Sequence, residues 1–205
     1  MYEVCAECGA HIADAVIDPA GPVIVCTVCG FRQPFRRLPM FIVTGASGTG
    51  KSTLCGHIAQ MEDRPDLVYL DSDMLLMKEF TSSGWKEYRN FWLWVSFNIS
   101  QSGRSVVLFG SATPADFENA PRRKYFSTIN YLVLACDRET LTERLTSRPD
   151  WRKSAHEAFL NDQLQWNQRF IDEEADADPP YTVLGTEGRS AAESARALFE
   201  WTQRG

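Results

Sequence analysis

The sequence lacks several features that would place it in other classes of protein. No apolar run approaches the roughly 20 residues of a membrane-spanning helix. No basic segment followed by an apolar stretch begins the chain, so we expect neither a membrane span nor a signal peptide. Positive charge is also scarce, since 21 lysines and arginines stand against 27 aspartates and glutamates, a net charge of −6. A protein dedicated to binding nucleic acid needs a positive face, so this charge balance argues against a nucleic-acid-binding protein. It does not exclude a local basic patch.

Histidine is scarce, and the arrangement of the six cysteines indicates what kind of site they form. The three histidines, His11, His57 and His156, are scattered, and nothing around them indicates a catalytic base. Four of the six cysteines form two C-x-x-C pairs, which suits a metal site in a reducing compartment better than a disulfide framework. With 44% hydrophobic and 23% charged residues, the 205-residue chain has the composition of a globular protein with one main core. We therefore expect a soluble, cytoplasmic protein.

The two cysteine pairs, Cys5-x-x-Cys8 and Cys26-x-x-Cys29, are separated by 17 residues, a spacing typical of a zinc ribbon. A glycine follows each pair and can take a positive φ, so that backbone N–H groups point at the thiolates. So small a segment buries too little apolar surface to fold alone, and a tetrahedral Cys₄ zinc would supply the missing stability. We predict a small β zinc ribbon over residues 1–37, with two redox-active dithiols as the alternative interpretation.

The most specific motif of the sequence is a glycine loop that follows the apolar run Met40–Val43. It has the pattern G-x-x-x-x-G-K-S between a short strand and a helix-forming stretch, which is the context that indicates phosphate binding. In such loops backbone N–H groups surround phosphate oxygens, the lysine reaches the β- and γ-phosphates, and the serine hydroxyl binds Mg²⁺. A glycine-rich turn that binds nothing is the alternative. The predicted nucleotide-binding residues are Gly45, Ala46, Ser47, Gly48, Thr49, Gly50, Lys51, Ser52 and Thr53, with Ser52 as the magnesium ligand.

Two carboxylates follow the second predicted strand, which covers residues 66–70. Asp71 and Asp73 would lie at the carboxyl ends of parallel strands, where ligands of open α/β sheets bind. A carboxylate there can accept the proton of an attacking hydroxyl or hold Mg²⁺ through water. Either residue could instead cap the next helix, and the two interpretations are compatible.

A long helix is predicted from about residue 74 to residue 102. It is rich in aromatic residues, which are Phe80, Trp85, Tyr88, Phe91, Trp92, Trp94 and Phe97. Core packing is its expected main role. Trp92 and Trp94 cannot share one narrow stripe of a helix, however, so part of this aromatic surface is a candidate wall for an acceptor pocket.

The third predicted strand, residues 105–109, lacks the aspartate that normally ends a Walker-B strand and helps to hold the metal. Phe109 and Gly110 stand where that aspartate is expected. Metal binding would therefore depend on Ser52, together with one of the carboxylates after the second strand.

Two further strands and three helices complete an alternating pattern, with strands at 128–135 and 181–184 and helices at 137–146, 154–174 and 190–203. Arg144 and Arg148, near the end of the first of these helices, could close over phosphates and neutralise charge during transfer, and Arg152 is a weaker candidate. One residue of the run 122–124 could clamp an acceptor anion, although a surface charge run is the commoner case.

Alternating strands and helices with a phosphate loop after the first strand predict a doubly wound parallel sheet. From about residue 39 onward the chain resembles the P-loop small-molecule and nucleotide kinases, of gluconate kinase-like, adenylylsulfate kinase-like and nucleoside kinase-like types. The resemblance implies a three-layer α/β/α P-loop NTPase domain over residues 38–205, whose five-stranded parallel sheet has the order 2-3-1-4-5. The matching segments are the glycine loop, Leu70-Asp71-Ser72-Asp73, Ser111-Ala112 and Leu141-x-x-Arg144-Leu145-x-x-Arg148.

The same resemblance implies roles for the candidate catalytic residues. In such kinases the aspartate after the second strand contacts the acceptor or the metal, and arginines in the helix after the fourth strand and in the following lid bind ATP. Asp73 is thus the preferred base, with Asp71 as the second candidate, because the downstream position faces further into the acceptor cleft. Arg144 and Arg148 would stabilise the transferred group, and the adenine site would lie near Arg148 and the Gly185-Thr186 turn.

We therefore expect an ATP-dependent phosphotransferase that uses Mg²⁺, carries a structural Zn²⁺ and acts on a hydroxyl of a small molecule or nucleoside. A polynucleotide or RNA-end kinase is one alternative, with the ribbon and Arg32, Arg36 and Arg37 as the grip on nucleic acid. A nucleotide-dependent switch or adaptor, whose ribbon docks a protein partner, is another, and the missing Walker-B aspartate favours it slightly. The residues alone leave open the acceptor, the choice of ATP over GTP and the oligomeric state.

Overall fold

The computed structural model describes residues 3–12, 16–61, 64–76 and 84–204. Its amino-terminal part contains a three-stranded antiparallel sheet in the order β1-β2-β3, made of β1 (Val16–Ile17), β2 (Val23–Val25) and β3 (Arg32–Pro34). Cys26 and Cys29 lie between β2 and β3, and Cys5 and Cys8 lie between the residues of a separate bridge that joins Val4 to His11. A small β ribbon is therefore present where the cysteine spacing predicts one.

The second sheet contains five parallel strands: β4 (Met40–Thr44), β5 (Leu67–Asp71), β6 (Ser105–Phe109), β7 (Ile129–Ala135) and β8 (Thr182–Gly185). Their order is β5-β6-β4-β7-β8, which is the predicted order 2-3-1-4-5 when the strand before the glycine loop is counted first. Every residue of β4 and β6 is buried. Strands covered on both faces are largely apolar, which explains the apolar runs Met40–Val43 and Val106–Phe109.

Helices cover both faces of this sheet and give the predicted three-layer α/β/α fold. In the described residues the α-helices are α1 (Lys51–Ile58), α2 (Trp85–Ser100), α3 (Pro114–Glu118), α4 (Arg138–Thr146), α5 (Glu157–Asp172) and α6 (Ala191–Thr202). Leu54 of α1 and Leu198 of α6 belong to the core on one face, and Trp92 of α2 packs with Ile42 and Leu108 on the other. None of these helices combines the length and the apolar character that crossing a membrane requires.

The predicted start of the aromatic helix is wrong. Residues Ser72–Leu75 form a 3₁₀ turn instead, and α2 begins at Trp85 after Gly84, whose φ is 94°. Since left-handed backbone interrupts a regular helix, the chain enters α2 about ten residues later than aromatic periodicity suggests. The segment 77–83, which includes Phe80, lies outside the described residues.

Helix α3 is an element that the aromatic and apolar patterns do not reveal. Thr113 precedes it, and the Asp116 side chain accepts hydrogen bonds from the Thr113 N–H and hydroxyl at 2.8 and 2.7 Å. Pro114 occupies the first turn, where its missing N–H is harmless. The T-P-x-D signature is therefore the local signal for this helix.

The ribbon packs against α2 through aromatic residues. Phe35, which follows β3, lies 5.7 Å from Phe97 of α2 and 6.0 Å from Tyr125, measured between ring centroids. Phe97 and Tyr125 stack on each other at 4.4 Å. Cys5 and Cys26 belong to the same buried cluster as these rings. The cysteine-bearing ribbon and the helix therefore share one apolar core.

Polar contacts reinforce this docking. The Gln101 side chain accepts from the Arg36 N–H at 2.8 Å and donates to the Arg36 carbonyl at 3.1 Å, which fixes the segment that joins the ribbon to β4. Glu3 pairs with Arg122 at 2.5 Å. The ribbon is thus held from both of its ends.

Candidate functional site

Two glycines of the loop after β4 have a positive φ and lie too close to a neighbouring element to carry a side chain. Gly45 has a φ of 136° and lies so close to β7 that a Cβ would be 2.2 Å from the Leu134 carbonyl oxygen. Gly48 has a φ of 97° and faces Leu141 of α4, whose Cδ1 would be 2.8 Å from such a Cβ. The loop therefore lies tightly against the sheet and α4, and α1 begins at Lys51 with its positive dipole end toward the loop.

The Lys51 ammonium group closes this loop on itself. Its Nζ donates to the carbonyl oxygens of Gly45 and Ala46 at 2.7 and 2.8 Å. Burial lowers the pKa of Lys51 to about 8, although the nearby charges of Asp73 and Asp71 oppose the change. An amine whose hydrogen-bond acceptors in the described part of the chain are these two carbonyl groups is well placed to exchange them for phosphate oxygens.

A cavity of about 710 Å³ opens in front of the loop, and we call it the basic cavity. Residues 47–54 line it, so the predicted side chains Ser47, Lys51, Ser52 and Thr53 all face one space. Its charge is opposite to the net charge of the chain, because five basic side chains accompany one carboxylate. The ionisable lining residues are Lys51, Asp73, Arg144, Arg148, Arg152 and Arg189.

The predicted arginines occupy different places in the basic cavity. Arg144 donates from Nη1 and Nη2 to the side-chain and carbonyl oxygens of Thr186, at 2.9 and 3.0 Å, and thereby ties α4 to the turn after β8. Arg148 donates to the Ser47 hydroxyl at 2.9 Å, so its guanidinium group lies on the glycine loop. Arg152 lines the same cavity. Arg148 is therefore the arginine that the structure brings to the loop.

A second cavity of about 480 Å³ adjoins the first, and Ser47, Asp73 and Ser111 line both. We call it the aromatic cavity. Its volume falls within the range of about 300–1,000 Å³ that is usual for small-molecule sites. Its aromatic walls are Trp85, Tyr88 and Trp92 of α2, Phe117 of α3, and Phe159 and Trp166 of α5.

The two candidate carboxylates do different things. The Asp71 side chain accepts the Asp73 N–H at 3.0 Å and caps the 3₁₀ turn, and Asp71 is absent from the described walls of both cavities. Asp73 lines both cavities. Burial and the charge of Asp71 raise the pKa of the Asp73 carboxyl, while Lys51 and Arg152 oppose the rise. The capping interpretation thus fits Asp71, and the cavity interpretation fits Asp73.

Helix α5 contributes residues that sequence reasoning missed. Phe159, Gln163 and Trp166 line the aromatic cavity, and their i, i+4, i+7 spacing places them on one helix face. That spacing is the signal that could have found them. The Gln163 side-chain oxygen also accepts the Ser47 N–H at 2.7 Å, so α5 contacts the glycine loop as well as the second cavity.

Position 110, where a Walker-B aspartate would be expected, is closely packed. At Gly110 a Cβ would lie 2.4 Å from the Ser72 hydroxyl oxygen. Ser72 is in turn held by Tyr88, whose hydroxyl donates to the Ser72 carbonyl oxygen. A side chain at position 110 would force the Ser72 hydroxyl to move, so a Walker-B aspartate does not fit here without a shift next to Asp73.

A comparison with protein families decides between the kinds of phosphate-binding protein. The sequence matches the profile of the shikimate kinase family over residues 47–201, most of the chain. The chain belongs to the shikimate kinase family. Membership confirms the predicted superfamily of P-loop small-molecule kinases and the enzyme class.

Solved structures share the fold of this kinase. A sugar kinase from Janibacter sp. HTCC2649 has a TM-score of 0.58 at 18% identity, over 82% of this chain and 95% of its own. A shikimate kinase from Acinetobacter baumannii in complex with shikimate has a TM-score of 0.52 at 19% identity, over 82% and 94%. A gluconokinase from Sinorhizobium meliloti 1021 has a TM-score of 0.51 at 21% identity, over 78% and 90%. At these identities the likeness establishes the fold and leaves the substrate open, and no curated protein matches the sequence significantly.

The four ribbon cysteines of this kinase converge as a metal site requires. Their Sγ atoms all lie within 4.8 Å of one another, with Cys5–Cys29 at 3.7 Å and Cys8–Cys26 at 3.8 Å. A tetrahedron with Zn–S bonds of about 2.3 Å has S–S edges of about 3.8 Å, so the set fits zinc. N–H donors, foremost the backbone of Cys29 and then Val28, lower the pKa of Cys26, whereas hydrogen bonds with the neighbouring thiols raise that of Cys29.

Both cysteine pairs have the same turn geometry. Gly9 and Gly30 have φ values of 70° and 75°, and their N–H groups donate to the carbonyl oxygens of Cys5 and Cys26 at 3.0 and 2.9 Å. This repeat brings all four thiols to one point. Such convergence fits a shared metal better than two separate dithiols.

Two basic clusters noted in the sequence lie away from both cavities. Arg122 pairs with Glu3, and Arg123 pairs with Glu118 at 2.6 Å, so a surface charge run describes this segment and an acceptor clamp does not. On the ribbon, Arg32 is paired with Asp18. These arginines form salt bridges that join neighbouring segments of the structure.

Proposed function

We propose that this kinase transfers the γ-phosphate of ATP to a hydroxyl group of a small molecule. The observation that carries the proposal is the position of Asp73 on the boundary of two adjoining cavities. The basic cavity suits a triphosphate, and the aromatic cavity has the size of a small acceptor. A carboxylate between them can take the proton of the attacking hydroxyl, and its raised pKa brings it closer to the range of an effective base.

In this proposal the residues Gly45 to Thr53 bind the triphosphate. Lys51 would exchange its two carbonyl partners for β- and γ-phosphate oxygens, and Arg148 would neutralise charge beside Ser47 as the phosphoryl group moves. Ser52 would hold Mg²⁺, which when bound neutralises phosphate charge. Asp73 could contact the metal through water, because the usual strand-end carboxylate is absent at Gly110.

The transfer step then needs few groups. The acceptor oxygen attacks the γ-phosphorus, its proton passes to the Asp73 carboxylate, and the bond between the γ-phosphorus and the β–γ bridging oxygen breaks to release ADP. Arg144 is a positioning residue in this scheme, since it acts through its bonds to Thr186 beside the expected adenine site. Asp71 positions Asp73 by capping its turn.

We further propose that residues 1–37 form a zinc-binding unit and residues 38–205 the catalytic unit. Cys5, Cys8, Cys26 and Cys29 would hold a structural Zn²⁺, which when bound stabilises a ribbon with little apolar core of its own. A cytoplasmic location, expected from the cysteine usage, stays a prediction. The size of the aromatic cavity and the pairing of Arg32 with Asp18 support a small acceptor over an RNA end.

An acceptor screen tests this function. ADP release is measured with nucleosides, sugars, antibiotics and RNA ends, each with ATP and with GTP. For the acceptor that responds, Lys51→Ala should lower kcat by about 10²–10³, the usual loss for one electrostatic stabiliser. Lys86→Ala is the matched control, because Lys86 is exposed on α2 and outside the described cavity walls. Unchanged turnover in Lys51→Ala would overturn the proposal.

A further inference from the structure

We propose that the acceptor is a ring-bearing alcohol without an anionic group, either neutral or positively charged. This inference rests on the proposed function and deepens it by naming the substrate class of the aromatic cavity. It goes beyond membership of the family, because it is argued from the charged groups and rings that line this cavity.

The charge balance of the aromatic cavity disfavours an acid. Beside the tyrosine, its ionisable lining residues are Asp73, Arg89 and Asp162, which give an excess of negative charge. Among the described lining residues the one cation, Arg89, is paired with Asp116 at 3.1 Å. The other oxygen of Asp116 is engaged by the N–H and hydroxyl of Thr113, so the pair is held in place. Among the described lining residues a carboxylate ligand would therefore meet Asp162, the shared Asp73 and an arginine that is already paired.

The shape of the cavity favours a flat apolar face. Trp92 and Phe117 are buried in its wall, whereas Trp85 and Phe159 are 55% and 38% exposed at its mouth. Exposed aromatic rings that line a cavity offer faces on which a ligand ring can stack. The same faces attract a positive charge, and Asp162 stands beside them on α5. A neutral or aminated ring is thus the best match to both surface and charge.

Binding of matched probes to the full-length protein tests the inference independently of catalysis. The probes are para-methylbenzyl alcohol, para-(aminomethyl)benzyl alcohol and para-(hydroxymethyl)benzoate, which differ in charge on the same hydroxylated ring. Isothermal titration is carried out in the presence of a non-hydrolysable ATP analogue. We expect the neutral and aminated probes to bind at least about tenfold more tightly than the benzoate, a difference of about 1.4 kcal/mol. Shikimate and gluconate serve as acidic comparison ligands.

A pair of variants on α5 assigns the charge preference to the cavity. Asp162→Asn should weaken the aminated probe by about fivefold, as expected for the loss of one partly exposed charge partner, and leave the neutral probe unchanged. Asp172→Asn removes a carboxylate from the same helix outside the described cavity walls and should change neither.

The outcomes separate this inference from the proposed function. Tighter binding of the benzoate, or binding of none of the probes, overturns the inference even if ATP is consumed with another acceptor. Preferential binding of the neutral and aminated probes supports it. If that preference is found while no acceptor in the screen stimulates ADP release, the binding preference stands and the kinase proposal fails.

Discussion

The basic cavity and the aromatic cavity meet at Asp73, yet they are built in opposite ways. Residues 47–54 supply a large, unbroken part of the basic cavity, and its charge is positive. The aromatic cavity draws single side chains from segments between Ile42 and Trp166, and its charge is negative. A phosphate can be held by a short stretch of backbone N–H groups, whereas an acceptor is recognised by side chains that the fold must bring together.

The largest expected effect is at the boundary of the two cavities. Asp73→Asn removes the proposed base without changing its size, so kcat should fall by about 10²–10⁴ while nucleotide affinity changes little. Both are measured by steady-state kinetics with the identified acceptor and by titration with an ATP analogue. Near-wild-type kcat would show that the base is assigned wrongly.

Asp71→Asn is the matched comparison for this variant. Asparagine can still accept the Asp73 N–H, so the capped turn is kept and we expect a much smaller loss of kcat. A larger loss in Asp71→Asn than in Asp73→Asn would reverse the two roles.

Removal of the proposed zinc from the ribbon should affect the two cavities unequally. The ribbon packs on α2, whose opposite part carries Trp85 and Tyr88 of the aromatic cavity. Coupling through packed side chains of about 0.5–2 kcal/mol predicts that the acceptor KM rises by up to about thirtyfold, with little change for ATP. Both KM values are measured before and after zinc chelation and in Cys8→Ser, with bound metal quantified.

Glu7→Gln provides the control for the ribbon variant, since Glu7 is exposed next to Cys8 and lies outside the metal cluster. Equal losses for ATP and acceptor on zinc removal would contradict a specific coupling to the aromatic cavity.

The smallest expected effect is a pH dependence confined to the basic cavity. Phosphate binding favours protonated Lys51, whose pKa in the free protein is about 8. The protonated fraction falls as pH rises through that value, so ATP-analogue affinity should fall by up to about tenfold between about pH 7 and about pH 9. Lys51→Arg stays charged throughout, and titration should show a flatter profile for it. Binding of a neutral acceptor probe should not follow this curve.

The contrast between the cavities also explains what the sequence can predict. The glycine loop is a contiguous motif, and alternating apolar strands and helices predict the parallel sheet. The order of its strands is implied by the resemblance to P-loop kinases, and the structure has that order. Cysteine spacing likewise predicts the small β ribbon, and the zinc that it would hold stays a prediction. In each case the signal lies within a short stretch of chain.

The aromatic cavity depends on information that a short stretch does not contain. Helix periodicity places the start of α2 too early, because it does not register the left-handed turn at Gly84. Phe159 and Trp166 have helical spacing, but nothing local shows that their face meets α2 across a cavity. Only the folded chain separates the cap at Asp71 from the cavity residue at Asp73.

The aromatic contact between the ribbon and α2 has a consequence for the solubility of shortened forms of the protein. Phe35 covers Phe97 and Tyr125, which are both buried in the intact chain. Cleavage near residue 38 would remove Phe35 and expose the aromatic face that Phe97 of α2 forms with Tyr125. Contiguous exposed apolar surface promotes self-association, so we expect a form shortened at residue 38 to aggregate more readily than the intact kinase.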